Sequence, residues 1–286
     1  ARAERLAPLP GLAAPARCRI MRGMETATYL ETFFQGSPEA VAGCLRCRGA
    51  QRYEGVLRMA FQPIVDVGAR SVFAYEALVR GAQGESAGQV IGQVAPEQLY
   101  GFDQTCRVLA IDTARRLGLN ARLSINFLPN AVYEPATCIR LTLAAAHKVG
   151  FPPERLVFEI TEGEKIRDPE HALKIVRDYQ QRGFLTAIDD FGAGYSGLNL
   201  LATFQPHLVK LDMALVRDIH RDRPRQAIVS GVLGACRALD VQVIAEGVET
   251  ADEYAWLREA GITLFQGYWI GRPALEALPE PHWERL

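Results

Sequence analysis

The sequence predicts an α/β barrel of eight strands, irregular at its start, preceded by a short N-terminal extension. Three observations carry this. From about residue 57 onward, short apolar segments of strand length alternate with longer amphipathic segments of helical period. Eight strand candidates can be counted, the number that closes a parallel sheet into a barrel of the TIM type. The first two are separated only by Gly68-Ala69-Arg70, too few residues for a parallel crossover, so they should be antiparallel.

Residues 1 to about 22 are rich in Ala, Pro and Arg with little periodicity and read as a loose leader. Between residues 26 and 55, Tyr29, Phe33 and Phe34 recur near helical spacing, which predicts one or two short helices in an arm or linker. The domain boundary is placed at 55/56: an extension over 1–55, then one domain over 56–286. Strands are expected at 59–67, 71–79, 123–127, 156–160, 185–190, 208–212, 242–248 and 264–270. Helices are expected at 98–117, 131–149, 169–182, 223–239 and 250–260.

Composition sets bounds on function. The chain has 286 residues, 49% hydrophobic and 23% charged, enough for a large core. A formal net charge of -1 offers no electrostatic attraction to duplex nucleic acid or an anionic membrane. No apolar run approaches the roughly 20 residues that span a bilayer, and no signal-peptide core opens the sequence. A cytoplasmic location is expected. The chain begins at Ala1, so an upstream domain is compatible with it. Cys44-Leu-Arg-Cys47 has the spacing of a zinc or redox pair, with Cys18 as a third thiol, but no histidine precedes His147. Reduced, inert thiols are expected.

The chemistry is carried by polar residues at strand ends. Leu185-Thr-Ala-Ile-Asp-Asp-Phe-Gly ends an apolar run in two adjacent carboxylates before a glycine-rich turn. Successive strand side chains face opposite ways, so Asp189 and Asp190 can converge only where the strand stops and the backbone turns away. Period-two alternation puts Glu76 on one face with Ala74 and Leu78, Asn126 with Ser124, Lys210 with Asp212, and Glu246 with Ile244, while Glu159 stands alone among apolar residues. Each would cost several kcal/mol if buried without a partner, so convergence on one barrel mouth is the economical account.

Glu76, Asn126, Glu159, Asp189 and Asp190 offer only oxygen ligands, and no histidine lies at a strand end. That donor set suits Mg2+ or Mn2+ rather than zinc, and has carboxylates enough for two ions. Two such ions activate a water and stabilise the leaving oxygen in phosphodiester hydrolysis. Lys210 would orient or deprotonate that water, or neutralise charge building on phosphorus.

With these residues in register, the chain resembles the EAL-domain cyclic-di-GMP phosphodiesterases from about Met59 to Pro273. Tyr75-Glu-Ala-Leu-Val-Arg80 contains the namesake motif, and Gln62-Pro-Ile, Asn126, Glu159-Ile-Thr-Glu162, Asp189-Asp-Phe-Gly, Lys210-Leu-Asp212, Glu246-Gly-Val-Glu249 and Gln266-Gly-Tyr268 follow in family order. The resemblance implies an irregular barrel with an antiparallel strand that hydrolyses cyclic di-GMP to linear pGpG in bacterial second-messenger signalling. It implies that Glu76, Asn126, Glu159 and Asp189 hold a first metal, that Asp189 bridges to a second also bound by Asp190, that Lys210 contacts the attacking water, and that Glu246 supports the network. By the same likeness Gln62, Leu78, Arg80, Asp212 and Gln266 are substrate or supporting positions. The likeness further implies that Glu162 fixes a loop running to about Leu200 that links the site to a homodimer interface, and that Glu249 is a further supporting position. The glycine-rich turn also admits a second reading, an anion cradle of backbone amides. Ala193 stands where the family often has Thr. A receptor that binds the dinucleotide without cleaving it, and a dimeric signalling scaffold, are the alternative functions; either shares the fold.

Overall fold

A computed structural model describes residues 26–35, 53–132, 134–161, 169–194 and 197–286. Cys18, Cys44, Cys47 and Glu162 lie outside the described residues.

The antiparallel start follows from the short connection. Strand β1 (Arg58–Asp66) turns through Gly68 and Ala69, whose amides both donate to Asp66 Oδ1 (2.9 and 3.0 Å), and returns as β2 (Ser71–Arg80). Its register pairs Gln62 with Glu76 across the hairpin. Six further strands then add in parallel: β3 (Arg122–Asn126), β4 (Leu156–Thr161), β5 (Leu185–Phe191), β6 (Leu208–Leu211), β7 (Gln242–Ala245) and β8 (Leu264–Phe265). The barrel closes when β8 pairs antiparallel with β1, Val65 opposite Phe265. A short ninth strand, β9 (Ala274–Leu275), pairs with the same edge of β1 at Ala60 and Phe61, outside the closed ring. A two-residue strand is too short to carry a period-two signal, and the expected strand ends at 248 and 270 are loops instead: after Ala245 and Phe265 the chain leaves the sheet at Gly247 and Gly267.

Helices lie where the 3.6-residue pattern put them. The arm contributes α1 (Thr26–Phe33); α2 (Ala87–Ile91) is a short capped turn; α3 (Leu99–Arg116), α4 (Pro135–Val149) and α5 (Pro169–Gln181) cover β2 to β5. Then come α6 (Gly197–Thr203), α7 (Met213–Val216), α8 (Arg223–Ala238) and α9 (Ala251–Glu259). Helix α1 is tied down by aromatic burial and by polar contacts to two neighbours: Tyr29 Oη donates to Asp112 Oδ2 on α3 at 2.9 Å, and Lys148 on α4 bonds the Phe33 carbonyl.

Two cores result from the alternation. Outward strand residues meet the helices in the main core. Inward residues Ile64, Ala74, Val157, Ala187, Leu208, Ile244 and Leu264 form a separate apolar plug inside the barrel. One step of two residues toward the mouth from each of these stands a polar side chain, from Gln62 on β1 round to Gln266 just past β8. The plug closes the bottom of the barrel, so this polar layer opens only upward.

A buried polar cluster sits in the outer core. Arg107 is fully buried on α3 and pairs with Asp103 one turn away; its Nη1 donates to Tyr179 Oη (3.1 Å), and its guanidinium lies 5.4 Å from the Phe127 ring. Asp103 Oδ1 also accepts the Leu128 amide at 3.0 Å, which fixes the backbone two residues beyond Asn126. Because removing one partner strands a buried charge, Arg107→Met should cost about 3–5 kcal/mol in urea unfolding. The double variant Asp103→Leu/Arg107→Met should recover much of that loss; a purely additive double variant would show that the pair is not the coupled unit described.

Candidate active site

The polar layer is built on the strand ends. Lys210, on β6, is 1% exposed and points into the barrel axis. Its Nζ donates to Glu159 Oε2 at 2.7 Å, and lies 2.7 Å from Glu246 Oε1, 2.9 Å from Asp189 Oδ1 and 3.5 Å from Glu76 Oε2. Four carboxylates therefore share one ammonium. Asp189 Oδ1 is near Nζ yet has no hydrogen-bonded partner, so its contact with Lys210 is electrostatic rather than directional.

Two of the acids, Glu76 and Glu159, are oriented by neighbours. Asn126 Nδ2 donates to Glu76 Oε1 at 2.9 Å, and Gln266 Nε2 donates to Glu76 Oε2 at 2.6 Å. Gln266 Nε2 also reaches Gln62 Oε1 (3.2 Å), and Gln62 Nε2 donates to the Gly271 carbonyl (3.0 Å). Gln266 is thus turned onto Glu76 and Gln62 onto Gln266, and both also line the mouth. Gln266 Oε1 is buried with no donor. Ser124 Oγ donates to Glu159 Oε1; Ser124 was placed on the inward face by alternation with Asn126, but nothing in the sequence singled it out as an anchor.

The paired aspartates reach one place by a different device from the expected one. Strand β5 does not stop at Asp190; it runs on to Phe191, and its pairing with β6 slips between Ile188 and Phe191. Asp190 adopts φ 54, a left-handed conformation rare outside glycine. This bulge within the strand, rather than a turn after it, lets consecutive side chains face the mouth.

Burial sets the charge states. Glu159 is pushed up from its ordinary 4.5 to about 8 by burial, with Lys210 pulling it down and Glu76 and Asp189 adding to the rise. Asp190 is pushed up to about 6 by burial and by Asp189 and Asp212. Glu246 is raised well above its usual range by burial, against the pull of Lys210. For Lys210 burial disfavours the charge, but Asp189, Glu159, Glu246 and Glu76 outweigh it and hold the ammonium.

The geometry fits a hard cation. Glu76, Glu159 and Asp189 present oxygens within 4.8 Å of one another, and so do Asp189, Asp190 and Glu246, with Asp189 common to both groups. All donors are oxygen, carboxylates outnumber the lysine four to one, and a buried carboxylate oxygen and an amide oxygen lack partners.

Above this layer opens a cavity of ≈ 540 Å³. Leu78 and Arg80 from the end of β2, and Asp212, Glu249 and Tyr268 from the loops, stand on its wall. Arg80 Nη1 bonds only the neighbouring Val79 carbonyl (2.8 Å), and Asp212 caps α7 through the Ala214 amide (2.8 Å). Glu249 is held by Arg217, whose Nη2 donates to Oε1 at 2.9 Å. Beneath it Glu253, 1% exposed, accepts the Asp218 amide with one oxygen and the Glu249 and Thr250 amides with the other (2.9, 2.9 and 3.0 Å). One carboxylate thereby locks the loop after β6 to the loop after β7. The Thr250-Ala-Asp-Glu253 capping box is legible in the sequence; the bond to Asp218 is not. At Gly267 a Cβ would fall 2.2 Å from the Val248 carbonyl oxygen, so a glycine is required where these loops meet.

An irregular eight-stranded barrel, with one antiparallel strand and an acid cluster at its C-terminal mouth, defines a barrel class in which function sits in that mouth. The model of the EAL domain family matches residues 50–273, and the chain belongs to that family. It is similar to the crystal structure of a standalone EAL protein from Vibrio cholerae O395 in its c-di-GMP-bound form (52% identity, TM-score 0.78, covering 81% of this chain and 98% of that one). It is also similar to the manganese/cyclic-di-GMP complex of Klebsiella pneumoniae BlrP1 (38% identity, TM-score 0.74, 81% and 60% covered). Among curated relatives, the blue light- and temperature-regulated antirepressor BluF of Escherichia coli K12 is 34% identical over 225 residues, 78% of this chain and 56% of BluF. The cyclic di-GMP phosphodiesterase PdeR of the same organism is 35% identical over 159 residues, 56% of this chain and 24% of PdeR. The chain thus spans about half or less of the length of these two curated relatives.

A raised carboxylate pKa means that the folded state holds its proton more tightly than the unfolded chain. In chelator, stability should therefore fall as pH rises from about 4.5 through about 8 on account of Glu159, and from about 4 through about 6 on account of Asp190. Millimolar Mg2+ or Mn2+ should flatten that slope, as read by thermal melting; an unchanged slope would mean that the acid cluster takes no cation. Lys210→Met should steepen the slope in chelator, because its four carboxylates then have no counter-charge.

Proposed function

We propose that this chain is a cyclic-di-GMP phosphodiesterase that hydrolyses its substrate to linear pGpG, acting in the cytoplasm as a homodimer, with residues 56–286 as the catalytic domain. The observation that supports this most is the intact mouth: the acid cluster, Asn126 and Lys210 are all present and mutually bonded, and relatives crystallised with cyclic di-GMP share the fold.

In this reading Glu76, Asn126, Glu159 and Asp189 hold one Mg2+ or Mn2+, and Asp189, Asp190 and Glu246 surround a second. Bound there, the ions would supply the Lewis acidity that lowers the pKa of a water and offsets charge on the phosphoryl oxygens. Lys210 stays an ammonium in its carboxylate cage, so it donates a hydrogen bond and neutralises charge near phosphorus; removing a proton from water is not a task for a lysine held charged. Gln62, Gln266 and Ser124 hold Glu76 and Glu159 in place while charge shifts around them. Arg80, whose only bond among the described residues is from Nη1 to the Val79 carbonyl, turns its remaining donors to a phosphate. Asp212 spends Oδ1 on its helix cap and keeps Oδ2 for the two adjacent N–H donors of a guanine edge. Leu78 offers an apolar wall to a base. Glu249 and Glu253 keep the β7 loop, and with it Glu246, at a fixed height.

A second reading, a cyclic-di-GMP receptor or dimeric scaffold that does not cleave, is favoured by the likeness to BluF, whose name is that of an antirepressor.

Chromatography separates the two readings. Incubated with cyclic di-GMP and Mn2+ or Mg2+, the chain should form pGpG, and a chelator should stop it. Glu76→Ala should lower turnover by about a hundredfold or more, and Lys210→Ala should lower kcat with little effect on dinucleotide binding. Calorimetric binding of the dinucleotide without any pGpG would favour the receptor.

A further inference from the structure

Beside the mouth lies a second cleft of ≈ 710 Å³ between the β8 end and the C-terminal segment. It shares Glu249, Tyr268 and Pro273 with the mouth, so the two spaces adjoin at the Tyr268 ring. Its wall carries Trp269, Arg272, Glu280, His282 and Arg285.

The charges in this cleft are unequally committed. The Arg272 guanidinium lies 4.1 Å from the centroid of the half-exposed Tyr268 ring and has no hydrogen bond or ion pair among the described residues. Arg285 lies 5.1 Å from the Trp269 ring, makes a long bond to the Trp269 carbonyl (3.4 Å), and has Glu284 no closer than 3.8 Å. Trp269 Nε1 is a donor without a partner. Of the acids, Glu249 pairs with Arg217 and also feels Arg272, and Glu280 is the other acid on the wall beside the two guanidiniums. Guanidiniums stacked on aromatic rings keep N–H edges that grip phosphate oxygens.

Hydrolysis of one phosphodiester of a cyclic dinucleotide forms a bond from water oxygen to phosphorus, breaks the P–O bond to the 3′ oxygen, and transfers a proton to that oxygen. A diester with one negative charge becomes a terminal monoester carrying close to two, since the second pKa of a phosphate monoester is about 6. The product therefore differs from the substrate by a free, more highly charged phosphate, made at the mouth.

We propose that the cleft behind Tyr268 receives the 5′-phosphate of the linear product, with Arg272 as its principal cation. This rests on the phosphodiesterase reading. The cleft then draws the cut dinucleotide out of the acid-lined mouth, where a phosphate dianion is repelled once its counter-ions leave.

Calorimetry in chelator tests the site without catalysis. The wild-type chain should bind pGpG about tenfold or more tightly than GpG, which lacks the 5′-phosphate, and Arg272→Gln should erase most of that preference. Arg285→Gln should reduce it in part, and cyclic di-GMP binding should change by less than about twofold in both variants. Equal affinity of the wild type for pGpG and GpG, or equal loss of pGpG and cyclic di-GMP binding in Arg272→Gln, would overturn the assignment. Failure of the phosphodiesterase reading shows separately, as absence of pGpG in the turnover assay, because the calorimetry uses added pGpG.

Discussion

The structure depends on one buried ammonium. Lys210 Nζ sits within 3.5 Å of four carboxylates in a layer sealed below by the Ile64–Leu264 plug. Two unit charges 4 Å apart interact by about 4 kcal/mol at an effective dielectric of 20, so four acids with one cation are short of positive charge. The fold tolerates this partly because two of the acids are also pinned: Glu76 by Asn126 and Gln266, Glu159 by Ser124 and the lysine. The same shortage that weakens the metal-free protein is what a divalent cation would relieve. Stability and function draw on the same side chains.

Backbone irregularity is concentrated where chemistry needs it. A regular parallel barrel would send Asp189 and Asp190 to opposite faces; the slip in the β5–β6 pairing and the left-handed Asp190 bring both to the mouth. The reversed β1 has a related effect. It runs against its two neighbours, so Gln62 in mid-strand sits opposite Glu76 of β2 and meets Gln266 just past β8.

Around this centre the loops are locked in pairs. Glu253 and the Arg217–Glu249 pair join the loops after β6 and β7, while Asp103 on α3 holds the chain just beyond Asn126. Helix α3 also carries Asp112, to which the arm helix α1 is bonded through Tyr29. The arm and the mouth are therefore two ends of one 18-residue helix.

By itself the sequence determined the order of strands and helices, the antiparallel first pair, and the inward face of Glu76, Asn126, Glu159, Lys210 and Glu246. These follow from periods of 2 and 3.6 residues and from loop length, which act over a few neighbouring residues. The EAL motifs were legible for the same reason, as short runs in register. Tertiary structure alone decided the closure of β8 onto β1, the added β9, the bulge at Asp190, the turning of Gln266 onto Glu76 and of Gln62 onto Gln266, and the reach of Glu253 to Asp218. Those pairings join residues up to 215 positions apart, Ala60 with Leu275, and no local period encodes which distant strand a side chain will face once the sheet has closed.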